Sequence, residues 1–130
     1  MMIFKTPKGT RTSWSDVPVE DWYHFSRFVA NGCGGSSIQN KYLDKYLFGK
    51  QKRASCIIHD WYFAVGGNIY DFIRANFTMF GKQVEDAMEL RSFSMFFASF
   101  LYLIATSTLG AFYFNWGDYR SVKEVIYNIE

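Results

Sequence analysis

The alternation of hydrophobic and polar positions along the chain predicts a mainly helical protein. Between residues 17 and 30, Trp22, Phe25 and Val29 recur at helical spacing. Pro18 precedes them, and proline is favoured in the first turn of a helix. We therefore expect a first helix over residues 17–30, and we find little signal for β-strands elsewhere.

Two more helices are predicted in the middle of the chain, over residues 53–65 and 69–89. The pair Gly66-Gly67 between them is typical of a helix C-terminus. A connection this short joins antiparallel neighbours, so the two helices should pack side by side. Gly81, inside the later helix, suggests a break there.

The last predicted helix, over residues 92–114, is apolar on every face. No charged residue occurs from position 92 to position 117. Its length permits a membrane span. A helix that is apolar all round is equally typical of the buried centre of a small bundle. Serine and threonine side chains make it less apolar than a typical span, and Gly110 should end or bend it. Both interpretations stay open.

Composition and charge further limit the classes of protein that the sequence is compatible with. A chain of 130 residues is most simply one domain, residues 1–130, and its aromatic content of 21% supplies ample apolar surface. The formal charge of +2 is too small to indicate nucleic acid. The stretch MMIFKTPKGT has no apolar run long enough for a cleavable signal peptide. Basic residues between positions 41 and 53 form either a solvated face or a contact for an anionic surface; they are Lys41, Lys45, Lys50, Lys52 and Arg53.

Candidate chemistry lies in SCIIHDWYFAVGG, residues 55–67, where His59 precedes Asp60. A histidine can act as a general base for water near neutral pH. Adjacent side chains on a helix point about 100° apart, so Asp60 is better placed to bind a cation beside the target of His59 than to orient the imidazole. The plainer alternative is a histidine buried in the core. His24 has no such neighbours, and we interpret it as an ordinary helix residue.

The segment NGCGGSS, residues 31–37, is a predicted loop because three glycines surround Cys33. Such a loop offers backbone carbonyls to a hard cation such as calcium. If Cys33 and Cys56 were bonded, the loop would be tied to the helix one turn before His59. Two unpaired thiols, the usual state in a cytosolic protein, are the alternative.

These motifs resemble a known family. CGG at residues 33–35, followed by ASCIIHD at residues 54–60, is similar to the calcium loop and catalytic helix of phospholipase A2-like proteins, and most of all to small members encoded by phages and prophages. The resemblance covers roughly residues 30–80. It implies an all-α fold that contains a pair of antiparallel helices with a glycine-rich calcium loop, followed by an apolar C-terminal helix.

The resemblance also implies roles for individual residues. His59 would be the general base, and Asp60 would bind Ca²⁺ with backbone carbonyls of the loop. The calcium and a backbone N–H near Gly34 would stabilise the oxyanion. The implied carbonyl ligands are those of Gly32, Gly34 and Ser36. Cys33 and Cys56 match the disulfide that ties loop to helix in this family.

Two positions depart from the family pattern. The family places a tyrosine four residues after the histidine, where this chain has Phe63. It also places a histidine-orienting aspartate on the next helix, where the register gives Asn76. Asp71 is the nearby acid that could substitute. An amide can accept the hydrogen bond from imidazole, but it lacks the charge that stabilises an imidazolium.

Three functions follow as hypotheses. The first is a calcium-dependent phospholipid hydrolase that acts at a membrane surface. The second is a virion structural or interaction protein that keeps the fold without the activity. The third is a small membrane protein anchored by residues 92–114. The resemblance to phage-encoded proteins implies a location in the virion or the host cell envelope.

Overall fold

The computed structural model describes residue 6, residues 9–30 and residues 49–127. All regular structure in these ranges is helical, and they contain no β-strand, which confirms the all-α prediction for this part of the chain. The α-helices are α1 (Val19–His24), α2 (Gly49–Val65), α3 (Ile69–Glu89), α4 (Phe93–Thr108) and α5 (Val122–Tyr127). A π-helical turn, Phe25–Val29, continues α1, and a 3₁₀ turn, Leu109–Phe112, continues α4.

Helices α2 and α3 form an antiparallel hairpin. His59 contacts Asn76, and Cys56, one turn earlier on α2, contacts Gln83, later on α3. Because the contacts move in opposite directions along the two helices, the helices run antiparallel, as the short connection predicted. The glycine-rich loop predicted beside this hairpin, residues 31–37, lies outside the described residues.

The connection between α2 and α3 depends on its two glycines. Gly66 and Gly67 have φ angles of +85° and +134°, which side chains other than glycine rarely adopt. A Cβ on Gly66 would also collide with Asn115. Asn68 then caps α3, because its side chain accepts hydrogen bonds from the backbone N–H groups of Tyr70 and Asp71. The turn therefore fixes the direction in which α3 begins relative to α2.

The main hydrophobic core is centred on Trp61 of α2, which is fully buried. The ring of Phe25 meets it edge-on, with centroids 5.2 Å apart. The indole N–H donates to the backbone carbonyl of Thr12 at 3.0 Å, so the N-terminal segment is held against α2. Val125 and Ile126 of α5 belong to the same core. The ends of the described chain therefore both pack on α2.

The later helices differ from one prediction and from one of the two interpretations left open for the last helix. Helix α3 continues through Gly81, because this glycine lies on an open face where nothing approaches its Cβ position. Helix α4 is not the buried centre of a bundle, since only 28% of its most apolar window is buried. It packs one face on the protein, through Met95, Ala98, Ser99 and Tyr102. The α-helical geometry ends at Thr108, and the 3₁₀ turn Leu109–Phe112 follows it. This turn contains Gly110, which predicted the end of the helix.

Candidate functional site

The centre of the candidate site is a hydrogen bond between His59 of α2 and Asn76 of α3. The imidazole Nε2 and the carboxamide Oδ1 are 2.7 Å apart. Both side chains are buried, with 6% of His59 and 1% of Asn76 exposed. Of the two partners predicted for the imidazole, the structure brings Asn76 to it.

A third residue fixes the orientation of the Asn76 carboxamide. Its Nδ2 donates a hydrogen bond of 3.5 Å to the backbone carbonyl of Thr106 on α4. The amide must therefore turn its oxygen towards His59, because the reversed amide would place oxygen against oxygen at Thr106. Sequence reasoning missed Thr106. A backbone carbonyl leaves no signal in the residue type, so no sequence pattern could have indicated this contact.

This orientation also fixes the tautomer of the histidine. An amide oxygen only accepts hydrogen bonds, so Nε2 of His59 carries the proton. In the neutral imidazole the other nitrogen, Nδ1, then has the lone pair. The His59–Asn76 pair, called here the dyad, therefore presents Nδ1 as the atom that can take a proton.

Burial keeps His59 neutral. It lowers the pKa of the imidazole to about 4, and the hydrogen bond with Asn76 opposes this change only in part. A neutral imidazole at pH 7 is in the correct state to accept a proton. Its low pKa nevertheless makes it a weaker base than an exposed histidine.

Phe63 provides much of the apolar surface around the imidazole. It lies one turn after His59 on α2, and the two ring centroids are 3.9 Å apart. Phe72 and Phe114 also pack against Phe63, with ring centroids 5.6 and 5.2 Å from its own. The 3₁₀ turn approaches so closely that a Cβ on Gly110 would lie 3.0 Å from the Phe63 ring. At the position where the resemblance implies a tyrosine, the chain therefore has an aromatic wall without a hydroxyl.

Asp71, the other predicted partner of His59, is occupied elsewhere. Its Oδ2 accepts from the backbone N–H of Asn68 at 3.0 Å and from the hydroxyl of Tyr119 at 2.9 Å. Its Oδ1 accepts from Arg74 at 2.9 Å and lies 4.0 Å from Nε of Arg11. The carboxylate closes the capping box of α3 and ties it to the chain after α4. The pattern Asn68-x-x-Asp71 is a sequence signal that could have indicated this structural role.

Of the residues predicted to bind calcium, the structure describes Asp60. Asp60 is half-buried on α2, next to His59. Gly32, Gly34 and Ser36 lie outside the described residues, and so does the predicted oxyanion donor at Gly34. Among the residues that are described, no group of three or more His, Cys, Asp or Glu side chains could hold a metal. Calcium takes six to eight oxygen ligands, so Asp60 would need the loop carbonyls to complete a site.

The predicted disulfide has one cysteine within the described ranges. Cys56 is buried in a small cluster with Met79 and Tyr102, one turn before His59. Its sulfur lies 3.8 Å from Nε2 of Gln83. No free cysteine occurs among the described residues. Cys33 lies outside them, and the Cys33–Cys56 bond stays a prediction.

Comparison with known proteins adds no relative: no protein-family model, no curated protein and no solved structure matches this chain. The assignment of a function therefore depends on the geometry of the site.

Proposed function

We propose that this chain is a phospholipid-ester hydrolase of the phospholipase A2 type, in which His59 is the general base. The observation that supports the proposal is the 2.7 Å hydrogen bond between His59 and Asn76 across two antiparallel helices. It gives a neutral imidazole with a defined tautomer, next to Asp60 on the same helix. His59 and Asp60 are the residues that the resemblance implies for the reaction, and Asn76 lies where it implies an aspartate.

The chemistry follows from the tautomer. A water molecule at Nδ1 of His59 loses a proton to the imidazole while its oxygen attacks the ester carbonyl. The ester C–O bond then breaks, and the imidazolium returns this proton to the leaving alkoxide, which departs as the alcohol. Nε2 of the imidazolium keeps its proton and donates it in the hydrogen bond to the amide oxygen of Asn76, which holds the ring in place during the transfer. Calcium, when bound at Asp60 and the loop, would polarise the ester carbonyl and stabilise the oxyanion. Because Asn76 is uncharged, it stabilises the imidazolium less than a carboxylate would, and we expect slow turnover.

The test is release of fatty acid from phospholipid vesicles, measured with calcium and with a chelator. We expect calcium-dependent release by the wild type and none by His59→Gln, which keeps an N–H donor for Asn76 but cannot act as a base. His24→Gln is the matched control, because His24 lies on α1 and packs on Phe28 and Tyr127. Circular dichroism establishes that both variants are folded. Equal release by the wild type and His59→Gln would refute the proposal.

A second candidate function is a virion structural or interaction protein that keeps this helical pair without catalysis. The specific observation in its favour is the uncharged partner of His59, together with the commitment of Asp71 to the cap of α3. Stoichiometric copurification with virus particles, without fatty-acid release, would support this candidate over the hydrolase.

A further inference from the structure

Helix α4 exposes an apolar stripe on the side opposite its buried face. Side chains that recur every three or four residues share one face of a helix. Between 40% and 83% of each large side chain in this stripe is exposed. The stripe consists of Phe93, Phe97, Phe100, Leu101 and Ile104. A continuous apolar stripe of this kind marks a site of contact with a partner or a membrane.

One edge of α3 extends this stripe. Ile73 and Phe77 are exposed there, and Phe80 is half-buried between Phe77 and the α4 residue Phe100. The ring centroids of Phe80 and Phe100 are 5.0 Å apart, and those of Phe77 and Phe80 are 6.4 Å apart. The α4 stripe and these three residues of α3 form one surface, called here the α3–α4 apolar surface.

Neither α4 nor the second half of α3 places a charged side chain on this surface. Helix α4 has none, and the charged residues in the second half of α3 lie on a different face from Phe77 and Phe80. Those charged residues are Lys82, Glu85, Asp86 and Glu89. Separation of apolar and charged faces is the pattern of a helix that lies in a membrane interface.

Three hydroxyl groups of α4 donate hydrogen bonds to backbone carbonyls of the same helix. Ser99 donates to the carbonyl of Met95 at 2.9 Å, and Thr106 donates to that of Tyr102 at 2.9 Å. Thr108 is exposed, yet it also donates back, to the carbonyl of Ile104 at 2.8 Å. Lipid offers no hydrogen-bond partners, so polar groups that enter it must be paired internally. The observation that favours lipid as the occupant is the segment Phe93–Phe112, which has a mean hydropathy of 1.6 over an 18-residue window of which only 28% is buried.

We propose that the α3–α4 apolar surface embeds in a phospholipid bilayer, with α4 lying in the plane of the membrane. By length and composition, the segment Phe93–Phe112 could also cross a bilayer. A crossing would carry the charged residues of α3 into hydrocarbon, because α3 packs along α4, and this costs several kcal/mol. In the plane, the stripe enters the lipid while α3 keeps its charges in water.

This inference does not depend on catalysis by His59, because vesicle binding can be measured without hydrolysis. It does bear on the site, since Thr106 of α4 accepts the hydrogen bond that orients Asn76. A residue of the embedded helix, Thr106, would then be hydrogen-bonded directly to Asn76.

The first experiment is sedimentation with vesicles of phosphatidylcholine, alone and mixed with phosphatidylglycerol. The double variant Phe97→Glu/Ile104→Glu should bind at least about ten-fold more weakly than the wild type, because it places two charges in the lipid. Val19→Glu/Phe28→Glu is the matched control: it adds the same charge at exposed apolar positions of the α1 segment and should bind within about two-fold of the wild type. No binding by the wild type, or equal loss in both variants, would overturn the proposal.

The second experiment measures depth. The tryptophan fluorescence of Phe97→Trp and of Ile104→Trp is measured in vesicles of lipids brominated at different positions along the acyl chain. The quenching observed for the wild type is subtracted as background. An in-plane helix places both tryptophans at the same depth, whereas a spanning helix separates them by about 10 Å. Different depths would overturn the in-plane arrangement. A lipid-free dimer that Phe97→Glu/Ile104→Glu converts to monomer, with vesicle binding unchanged, would assign the surface to a second copy of the chain and overturn the proposal.

Discussion

The carboxamide of Asn76 donates to the backbone carbonyl of Thr106, so the apolar helix α4 determines which way the amide faces His59. This relationship explains how an asparagine can orient the imidazole in place of an acid. It also means that the residue at position 76 interacts with two helices, and that a change there has two separable consequences.

Replacing Asn76 with aspartate should raise the pKa of His59 from about 4, because a carboxylate stabilises the imidazolium. The same change should lower the free energy of unfolding by about 1–3 kcal/mol, since the Thr106 carbonyl loses its donor and faces a buried carboxylate. NMR titration of the imidazole and urea denaturation measure the two effects. An unchanged pKa would show that the new carboxylate does not contact His59.

Stability should fall at acid pH because of His59. Its pKa in the folded protein is lowered to about 4 from 6.5, so between these values the unfolded chain binds a proton that the folded chain excludes. The contribution is complete above pH 6.5 and is lost as the pH falls, by about 3 kcal/mol at pH 4. In urea denaturation, the wild type should lose about this much more than His59→Gln between pH 7 and pH 4. Parallel pH profiles for the two proteins would contradict the assignment.

Two Gly→Ala changes should have opposite effects. At Gly110 the added Cβ would lie 3.0 Å from the Phe63 ring, so the wall beside His59 must shift, and we expect a loss of about 1–2 kcal/mol. At Gly81 nothing lies within 4 Å of the Cβ position, and alanine should stabilise α3 by about 0.5–1 kcal/mol. Thermal and urea unfolding of the two variants test this difference. Stabilisation by Gly110→Ala would mean that the 3₁₀ turn is farther from Phe63 than described.

The role assigned to Asp71 is structural, and Asp71→Asn tests it. The amide loses the charge that pairs with Arg74 and weakens the cap of α3, so we expect a loss of about 2 kcal/mol. The pKa of His59 should be unchanged. Asp86→Asn is the control, because its pair with Lys82 lies at the surface and contributes about 0.5 kcal/mol or less. A lowered pKa of His59 in Asp71→Asn would instead place Asp71 in the dyad.

The sequence predicted the helical hairpin well because its signals are local. The Gly66-Gly67 turn and the short connection act within a few residues, and they bring Asn76 opposite His59. What sequence reasoning missed depends on packing between distant segments. Thr106 contributes a backbone atom, and Gly110 matters only because α4 returns it to Phe63.

The exposure of helix α4 could not be predicted from the sequence either. An apolar, uncharged sequence is equally compatible with a buried and an exposed helix, because composition does not say how many neighbours pack on it. The described neighbours bury one face only. In the same way, Asp71 was a candidate for the dyad until its carboxylate was found between Asn68, Arg74 and Tyr119.

In the proposed reaction, neutral His59 accepts a proton from water during ester hydrolysis, and the pH dependence of the rate tests this role most directly. We would measure the initial rate of calcium-dependent fatty-acid release from phospholipid vesicles between pH 4 and pH 8, for the wild type and Asn76→Asp. The wild-type rate should fall only near pH 4, where His59 becomes protonated. Asn76→Asp should move this decline to higher pH and raise the plateau by about ten-fold or more. A complete absence of calcium-dependent release from both proteins, or an acid limb that Asn76→Asp does not move, would contradict the account.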